Sequence, residues 1–175
     1  MVDYLKLYEI IGDLTPIKAD CGSLCQKACC TGDSDTGMYL YPGEEELYTE
    51  NLGFGKVFTS DFCYKLEKRY KRVDIFICDR PCDRLHRPLA CRVFPFVPYI
   101  DSDGNAEIIL DPRADVICPL ARHGDEVAFD EEFLDRLSEA FAEGLEDAAF
   151  AAFVKAQSKL IDEFEEMQNK FPKKL

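Results

Sequence analysis

The distribution of the cysteines constrains this chain more than any other feature of its sequence. Nine cysteines occur in 175 residues, and seven of them fall in two short clusters. In chain order, the clusters are Cys21, Cys25, Cys29 and Cys30, then Cys78, Cys82 and Cys91. Because packing alone gives no reason to group thiols in this way, we expect the fold to join the two clusters at a metal or redox centre.

The cysteine count and the start of the chain predict the redox setting. The count is odd, and residues 1–6 show no basic head, long apolar run or small-residue cleavage site, so we expect no secretory leader. No stretch approaches the roughly 18 apolar residues of a membrane span. These features predict a cytoplasmic protein with reduced thiols, and they disfavour a metal-free fold built on disulfides.

The composition excludes some classes of partner. Lys and Arg number 21 and Asp and Glu number 34, which gives a net charge of −13. Such an acidic surface disfavours nucleic acids and anionic membranes, because both are polyanions. Apolar residues make up 47% of the chain, with 13 Phe and 8 Tyr. The chain can therefore bury a core of its own, and a metal need not replace that core.

The spacing within the first cluster narrows the kind of site. Thiolates are strong, soft ligands for zinc and for iron–sulfur clusters. A Cys-x2-Cys pair occurs nowhere, which argues against a zinc ribbon, a rubredoxin-like knuckle and a thioredoxin-type motif. A helical spacing would place Cys21, Cys25 and Cys29 along one face, within reach of one centre. Cys29 and Cys30 diverge in regular structure, so either one ligates and the other packs, or they serve two centres.

The other candidate residues carry alternatives of their own. Cys118, followed by Pro119, is an open case between ligand and buried residue, whereas Cys63 lies within a predicted strand and is interpreted as a packing residue. His86 and His123 are more typical of a surface or a core than of a ligand position. Four arginines near the second cluster would offset the charge of a thiolate centre or pair with carboxylates: Arg80, Arg84, Arg87 and Arg92.

Alternating apolar residues predict a β-hairpin that ends at Cys78. Residues 56–66 form the first strand, and the residues that share its apolar face are Phe58, Phe62, Tyr64 and Leu66. Residues 73–77 form the second strand, and the basic residues 67–72 form the turn between them. The hairpin would thus deliver Cys78 to the site.

A second, shorter hairpin is predicted downstream. Residues 94–100 are apolar but hold Pro95 and Pro98, which limits them to an edge strand or an extended segment. A turn at residues 103–105 then leads into a return strand at residues 106–110.

Helical periodicity is strongest towards the C-terminal end. Apolar residues recur at three- and four-residue spacing from Phe133 to Met167, with Asp130 as the N-cap and Pro172 as the stop. Gly144 leaves open whether this is one bent helix or two packed helices.

Two weaker helical signals lie near the start of the chain. The residues that could line a helix face there are Leu5, Tyr8 and Ile11. Three glutamates at positions 44–46 follow Pro-Gly and suit the first turn of a short helix, with metal ligation by them as the minor alternative.

These elements predict an α+β fold, a small mixed domain with short β-hairpins around a cysteine metal site and a C-terminal helical segment. We expect residues 1–125 to form the cysteine-cluster metal-binding domain. Residues 126–175 are expected to form a helical extension packed on the same domain.

The order of the motifs resembles a known family. The closing Cys-Cys, the Cys-x3-Cys and the run Arg-Pro-x-x-Cys-Arg-x-Phe-Pro-Phe at residues 87–96 resemble the zinc- or iron-chelating cysteine-cluster family (CxxCxxCC type) of bacterial proteins. The resemblance covers about residues 21–119. It implies thiolate ligation at the seven clustered cysteines, with Cys118 as a later member. This chain has three residues between the first cysteines where two are usual, which leaves open the metal and the choice between Cys29 and Cys30.

The leading functional hypothesis is therefore a metal-binding protein that coordinates zinc or iron through clustered thiolates. The alternative is an iron–sulfur enzyme or redox protein, because the same module resembles part of the flagellin lysine methylases, where an iron–sulfur centre is implied. No Gly-rich nucleotide loop supports a nucleotide-dependent enzyme, and the radical-generating C-x3-C-x2-C motif is not matched. Whether the chain catalyses any reaction stays open.

Overall fold

The structure is a computed structural model that describes residues 1–30, 37–49, 53–79 and 86–170. The predicted features outside these ranges are Arg80, Cys82, Arg84 and Pro172. Within them the chain forms two antiparallel sheets and a set of helices that ends in a long C-terminal pair, which confirms the α+β class.

The first sheet contains the hairpin predicted to end at Cys78. Its strands are β1 (Gly37–Tyr39), β2 (Gly55–Leu66) and β3 (Arg69–Cys78), in the order β1-β3-β2. The turn is shorter than predicted, because the basic residues 69–72 pair with residues 63–66 and belong to β3. Only residues 67 and 68 form the turn, and Glu67 takes the left-handed conformation, with φ of 52°, that such a tight reversal uses.

A bulge changes which side chains of β2 are buried. The register of β2 against β3 shifts between Thr59 and Cys63. The prediction that Phe58 shares a buried face with Tyr64 is wrong, since Phe58 is 50% exposed and Tyr64 is 7% exposed. Before the bulge, Val57 is the residue that packs inward, against a cluster that contains Phe76. The irregularity interrupts the alternation on which the prediction relied.

The second hairpin matches its prediction closely. β4 (Phe96–Ile100) and β5 (Ala106–Leu110) pair antiparallel along their whole length. The long last helix fastens this sheet, because the Ser158 hydroxyl accepts a hydrogen bond from the Ile100 N–H at 2.9 Å and Tyr99 donates to Asp162 at 2.7 Å.

The first helix is present, but it is rotated relative to the prediction. α1 (Tyr4–Ile11) begins after Asp3, whose side chain caps it by accepting from the Lys6 N–H. Its buried residues are Tyr4, Leu7 and Ile11, whereas Leu5 is 59% exposed. The spacing of three and four residues from Tyr4 to Ile11 covers the face that meets the core, which corrects the predicted face.

The C-terminal periodicity resolves into two helices, α5 (Glu131–Leu145) and α6 (Ala148–Lys170). Asp130 caps α5 as predicted, by accepting from the Glu132 N–H. Gly144 lies inside α5, where a Cβ atom would come within 2.8 Å of the Phe150 ring. The glycine therefore allows the two helices to pack closely, and the chain reverses at residues 146–147.

The main core combines residues from both sides of position 125. Its fully buried members include Leu7, Tyr41, Leu89, Phe133, Leu137, Phe150 and Phe153. The helices of residues 126–170 thus pack on the rest of the chain through a shared core. The division of the chain at residue 125 stays a prediction.

Short helical segments connect these elements and carry most of the clustered cysteines. The α-helical ones are α2 (Gly22–Cys25), α3 (Leu89–Val93) and α4 (Pro119–Arg122). The 3₁₀ turns are Ala28–Cys30, Glu44–Tyr48, Pro112–Val116 and Gly124–Glu126. The second of these turns confirms the short helix predicted from the three glutamates.

Candidate metal centre

Five cysteines from three separate segments line one small cavity of about 40 Å³: Cys21, Cys25, Cys29, Cys91 and Cys118. The first three come from α2 and the turn that follows it, the fourth from α3 and the fifth from the residue before α4. The structure therefore joins the first cluster to the last cysteine of the second cluster. It also places Cys118, which the sequence left open, at the same cavity.

The first cluster does not form the single helical face that its spacing predicts. α2 is one turn long and ends at Gln26, which has φ of 54°, and Lys27 follows with φ of 60°. The Lys27 N–H then donates to the Gly22 carbonyl at 2.9 Å, which closes a helix C-terminus. This break turns the chain back, so that Cys29 reaches the cavity from a separate 3₁₀ turn.

Cys29 and Cys30 lie closer together than regular structure would allow. Their sulfur atoms are 3.9 Å apart, which corrects the expectation that adjacent side chains diverge. Four sulfurs bound at about 2.3 Å to one zinc ion would stand about 3.8 Å from one another. The spacing of this pair is therefore compatible with two ligands of one metal, although only Cys29 of the two lines the cavity.

Cys91 is held in place by a buried carboxylate that sequence reasoning missed. Glu44 was predicted in the first turn of a short helix, where a solvated side chain is usual, yet it is 0% exposed. Its Oε1 accepts from the Leu89 N–H at 2.6 Å and from the Tyr8 hydroxyl, and its Oε2 accepts from the Tyr41 N–H at 3.0 Å. Glu44 thus anchors the start of α3 two residues before Cys91.

Burial raises the pKa of Glu44 to about 7, against the opposing effect of the three donated hydrogen bonds and of the nearby Arg92 charge. The bonds and the guanidinium favour the ionised carboxylate, but removal from water costs more. Since the glutamate is occupied by protein donors, the structure gives no support to the minor alternative of metal ligation at this position.

Two of the four arginines near the second cluster, Arg87 and Arg92, line the cysteine cavity. Arg92 is 8% exposed, stacks over the Tyr8 ring at 4.1 Å and donates from Nε to the Arg87 carbonyl at 2.8 Å. A buried guanidinium fixed beside several thiols supplies positive charge where thiolates would carry negative charge. This geometry supports the first of the two roles predicted for these arginines.

Cys118 is the most buried of the cavity cysteines, with 8% exposure. It forms a small apolar cluster with Ala114 and Leu120, against which Cys21 and Phe94 also pack. The residue is therefore both a packing residue and a lining residue, so the two alternatives weighed for it are compatible.

The other cysteines lie elsewhere. Cys78 ends β3 as predicted, but it packs against the cluster of Leu40, Tyr48, Phe54 and Phe76 and is not among the residues that line the cavity. Cys63 lies in β2 beside the bulge, where its thiol is 3.5 Å from the Asp61 carbonyl. Cys82 is outside the described residues, so ligation by Cys78 and Cys82 stays a prediction.

The two histidines differ in their surroundings but neither lines the cysteine cavity. The His86 ring lies 6.0 Å from the Phe54 ring, and the His86 carbonyl accepts from the Tyr48 hydroxyl at 3.3 Å. His123 follows α4 as its C-cap.

The donor set of the cavity suits a soft metal. Hydrogen bonding to Cys30, burial and the nearby sulfurs of Cys30, Cys25 and Cys21 all raise the pKa of the Cys29 thiol. Without a cation these thiols are neutral, and a bound metal would stabilise the thiolates instead. No disulfide joins any two of the eight cysteines that the structure describes.

The thiols are grouped but do not yet converge on one point. In the described ranges, no three His, Cys, Asp or Glu side chains stand close enough together to form a metal-binding group. Ligation at the cavity therefore requires the sulfurs to turn inwards, which rotation of each cysteine about its Cα–Cβ bond can provide.

None of the helices in the described parts of the chain combines the length and apolar character that a membrane crossing requires. Comparison of the chain with protein-family models, curated proteins and solved structures found no match.

Proposed function

We propose that this chain is a cytoplasmic metal-binding protein that coordinates zinc or iron through cysteine thiolates. The observation that carries the proposal is the single cavity lined by five cysteines from three separate segments. Cysteines that only fill space have no reason to meet in one place, whereas soft-metal ligands must do so. The resemblance of the motifs to the zinc- or iron-chelating cysteine-cluster family supports the same proposal.

The residues fall into two groups in this proposal. Cys21, Cys25, Cys29, Cys91 and Cys118 are the candidate ligands at the cavity, and four of them would complete a tetrahedral site. Arg87 and Arg92 would balance the negative charge that four thiolates leave around a divalent ion. Cys30, Cys78 and Cys82 are additional candidates from the resemblance.

The surplus of thiols favours one alternative. A single tetrahedral zinc ion uses four thiolates, yet five line the cavity and Cys30 lies 3.9 Å from Cys29. An iron–sulfur cluster, in a redox protein or in an enzyme related to protein lysine methyltransferases, would give more of these thiols a role.

Elemental analysis of anaerobically purified protein tests the proposal. We expect about one equivalent or more of zinc or iron per chain, because thiolate sites retain their metal through purification when oxygen is excluded. A colourless protein with stoichiometric zinc supports the leading form. Visible absorption that disappears on thiol modification supports the iron–sulfur alternative. Protein that holds neither metal, and takes up neither on reconstitution, contradicts both.

Serine substitution locates the ligands. Cys91→Ser and Cys25→Ser should each reduce the bound metal per chain at least severalfold, because serine is a poor ligand for soft metals. Cys63→Ser is the matched control, since Cys63 lies in β2 away from the cavity lining. Loss of metal in Cys63→Ser with full retention in Cys91→Ser would show that the centre lies elsewhere.

A further inference from the structure

A second cavity, of about 220 Å³, lies against α3 on a different face from the cysteines. Ala90 and Val93 line it, and residues three apart share one face of a helix. Cys91 and Arg92 line the cysteine cavity instead, and Phe94 borders both spaces. The second cavity is therefore a separate space that the proposed metal site does not use.

The walls of this second cavity are mostly apolar and aromatic. Tyr41 and Phe96 contribute rings, and Val97 and Ala114 contribute aliphatic surface. An apolar cavity of about 150 Å³ in a protein core is large enough to bind benzene. A space of about 220 Å³ can therefore hold one aromatic ring together with a small polar substituent.

Gln157 supplies the first polar group that lines this cavity. It lies on α6 and is 7% exposed, and its buried Oε1 has no hydrogen-bond donor among the residues that the structure describes. Its neighbour Ser158 is satisfied in both directions, donating to the Val154 carbonyl and accepting from the Ile100 N–H. A buried carbonyl oxygen without a donor is costly, and a bound molecule with an N–H group would satisfy it.

Arg113 supplies the second polar group. Its Nε and Nη2 donate to the two carboxylate oxygens of Asp111 at 2.8 and 2.7 Å. This paired geometry neutralises the charge of Arg113 and holds its planar group in one orientation, while the Nη1 group takes no part in the pair. α6 packs directly on the turn that carries Arg113, which brings the two polar groups to neighbouring elements.

We propose that the second cavity binds a small neutral amide with an apolar ring. The ring would lie among the aromatic walls, the amide N–H would donate to Gln157 Oε1, and the amide carbonyl would accept from Arg113. A carboxylate fits less well, because it has no N–H for Gln157 and because Asp111 already balances the arginine charge. This site is independent of metal binding by the cysteines.

An NMR titration of the full-length protein with benzamide tests the proposal. We expect saturable shifts of the backbone amides of Ala90, Val93 and Gln157, and much weaker shifts with benzoate at the same concentration. Gln157→Leu should weaken benzamide binding roughly tenfold, the change that loss of one hydrogen bond produces. Gln168→Leu is the matched control, because it makes the same substitution on α6 outside the cavity lining.

A second variant keeps the test independent of Gln157. Ala90→Met should fill part of the cavity and abolish benzamide binding while the protein keeps its helical circular dichroism. The proposal is overturned if benzamide gives no saturable shifts at these residues. It is also overturned if benzoate binds as tightly as benzamide, or if Gln157→Leu and Gln168→Leu bind benzamide equally.

Discussion

In the aromatic core, Tyr41, Phe150 and Phe153 are buried to within 1% and their rings lie 4.7–4.9 Å apart, stacked or edge to face. At the cysteine cavity, Cys25 is only half-buried and Cys29 is exposed, and both lie on segments of three or four residues. The core thus has the burial that stabilises a fold by itself. The cavity segments have little burial and many reactive groups, so their order depends on what the thiols bind.

The largest expected effect comes from cutting into the core. Phe153→Ala should lower the free energy of unfolding by about 3–5 kcal/mol, because the ring is fully buried and contacts three other aromatic side chains. Urea denaturation followed by circular dichroism measures this change. The variant should keep its metal content while folded. A loss below about 1 kcal/mol would mean that the core is not the main source of stability.

Metal removal should have a smaller effect that is confined to the cavity. Chelation at neutral pH should lower the free energy of unfolding by about 3 kcal/mol, the stabilisation given by a ligand well above its dissociation constant. Because the core is independent of the thiols, the metal-free protein should stay folded with a lower melting temperature. The two regions would not differ in this way if verified metal removal left the melting curve unchanged or unfolded the chain completely.

Glu44 couples the two regions and should make stability depend on pH. Burial raises the pKa of Glu44 to about 7, so the folded protein holds this proton more tightly than the unfolded chain does. Its contribution is therefore fully present below about pH 4.5 and is lost as the pH rises through about 7. We expect a loss of about 2 kcal/mol for metal-free protein between pH 5 and pH 8.

Glu44→Gln provides the control for this pH dependence. Glutamine has the shape of the protonated side chain but cannot titrate, so the stability of the variant should vary less over the same range. Denaturation curves of the metal-free wild type and variant at pH 5, 6, 7 and 8 make the comparison. Parallel pH profiles for the two proteins would exclude Glu44 as the titrating group.

The smallest expected effect is at the cysteine that belongs to neither region. Cys63→Ser should change the free energy of unfolding by no more than about 0.5 kcal/mol, because the side chain is only half-buried at an irregular point of β2. Chemical denaturation measures it. A change of more than about 2 kcal/mol would reveal a structural role for this thiol that its surroundings do not indicate.

The elements that could be predicted are those with a long local pattern. The hairpin that ends at Cys78 and helix α5 behind Asp130 follow from alternation, helical spacing and capping within the segment itself. Shorter elements escaped prediction. α3 has five residues, too few for a period to show, and α2 ends after one turn at Gln26 although the cysteine spacing continues.

The burial of Glu44 could not be predicted, because its partners are distant in sequence. Tyr8 lies 36 residues before it and Leu89 lies 45 residues after it. Three successive glutamates at a helix start are the ordinary pattern of a solvated turn. A single sequence carries no local signal that separates this one from the other two.

The sequence by itself determined that this protein has clustered, reduced thiols, an acidic surface and enough aromatic residues for an independent core. These properties depend on residue type and on spacing along the chain. The tertiary structure alone decided that Cys118 lines the cavity with the first cluster while Cys78 packs in a separate apolar cluster. Such groupings depend on how α3, the second hairpin and α6 pack together, and packing joins residues whose sequence positions are unrelated.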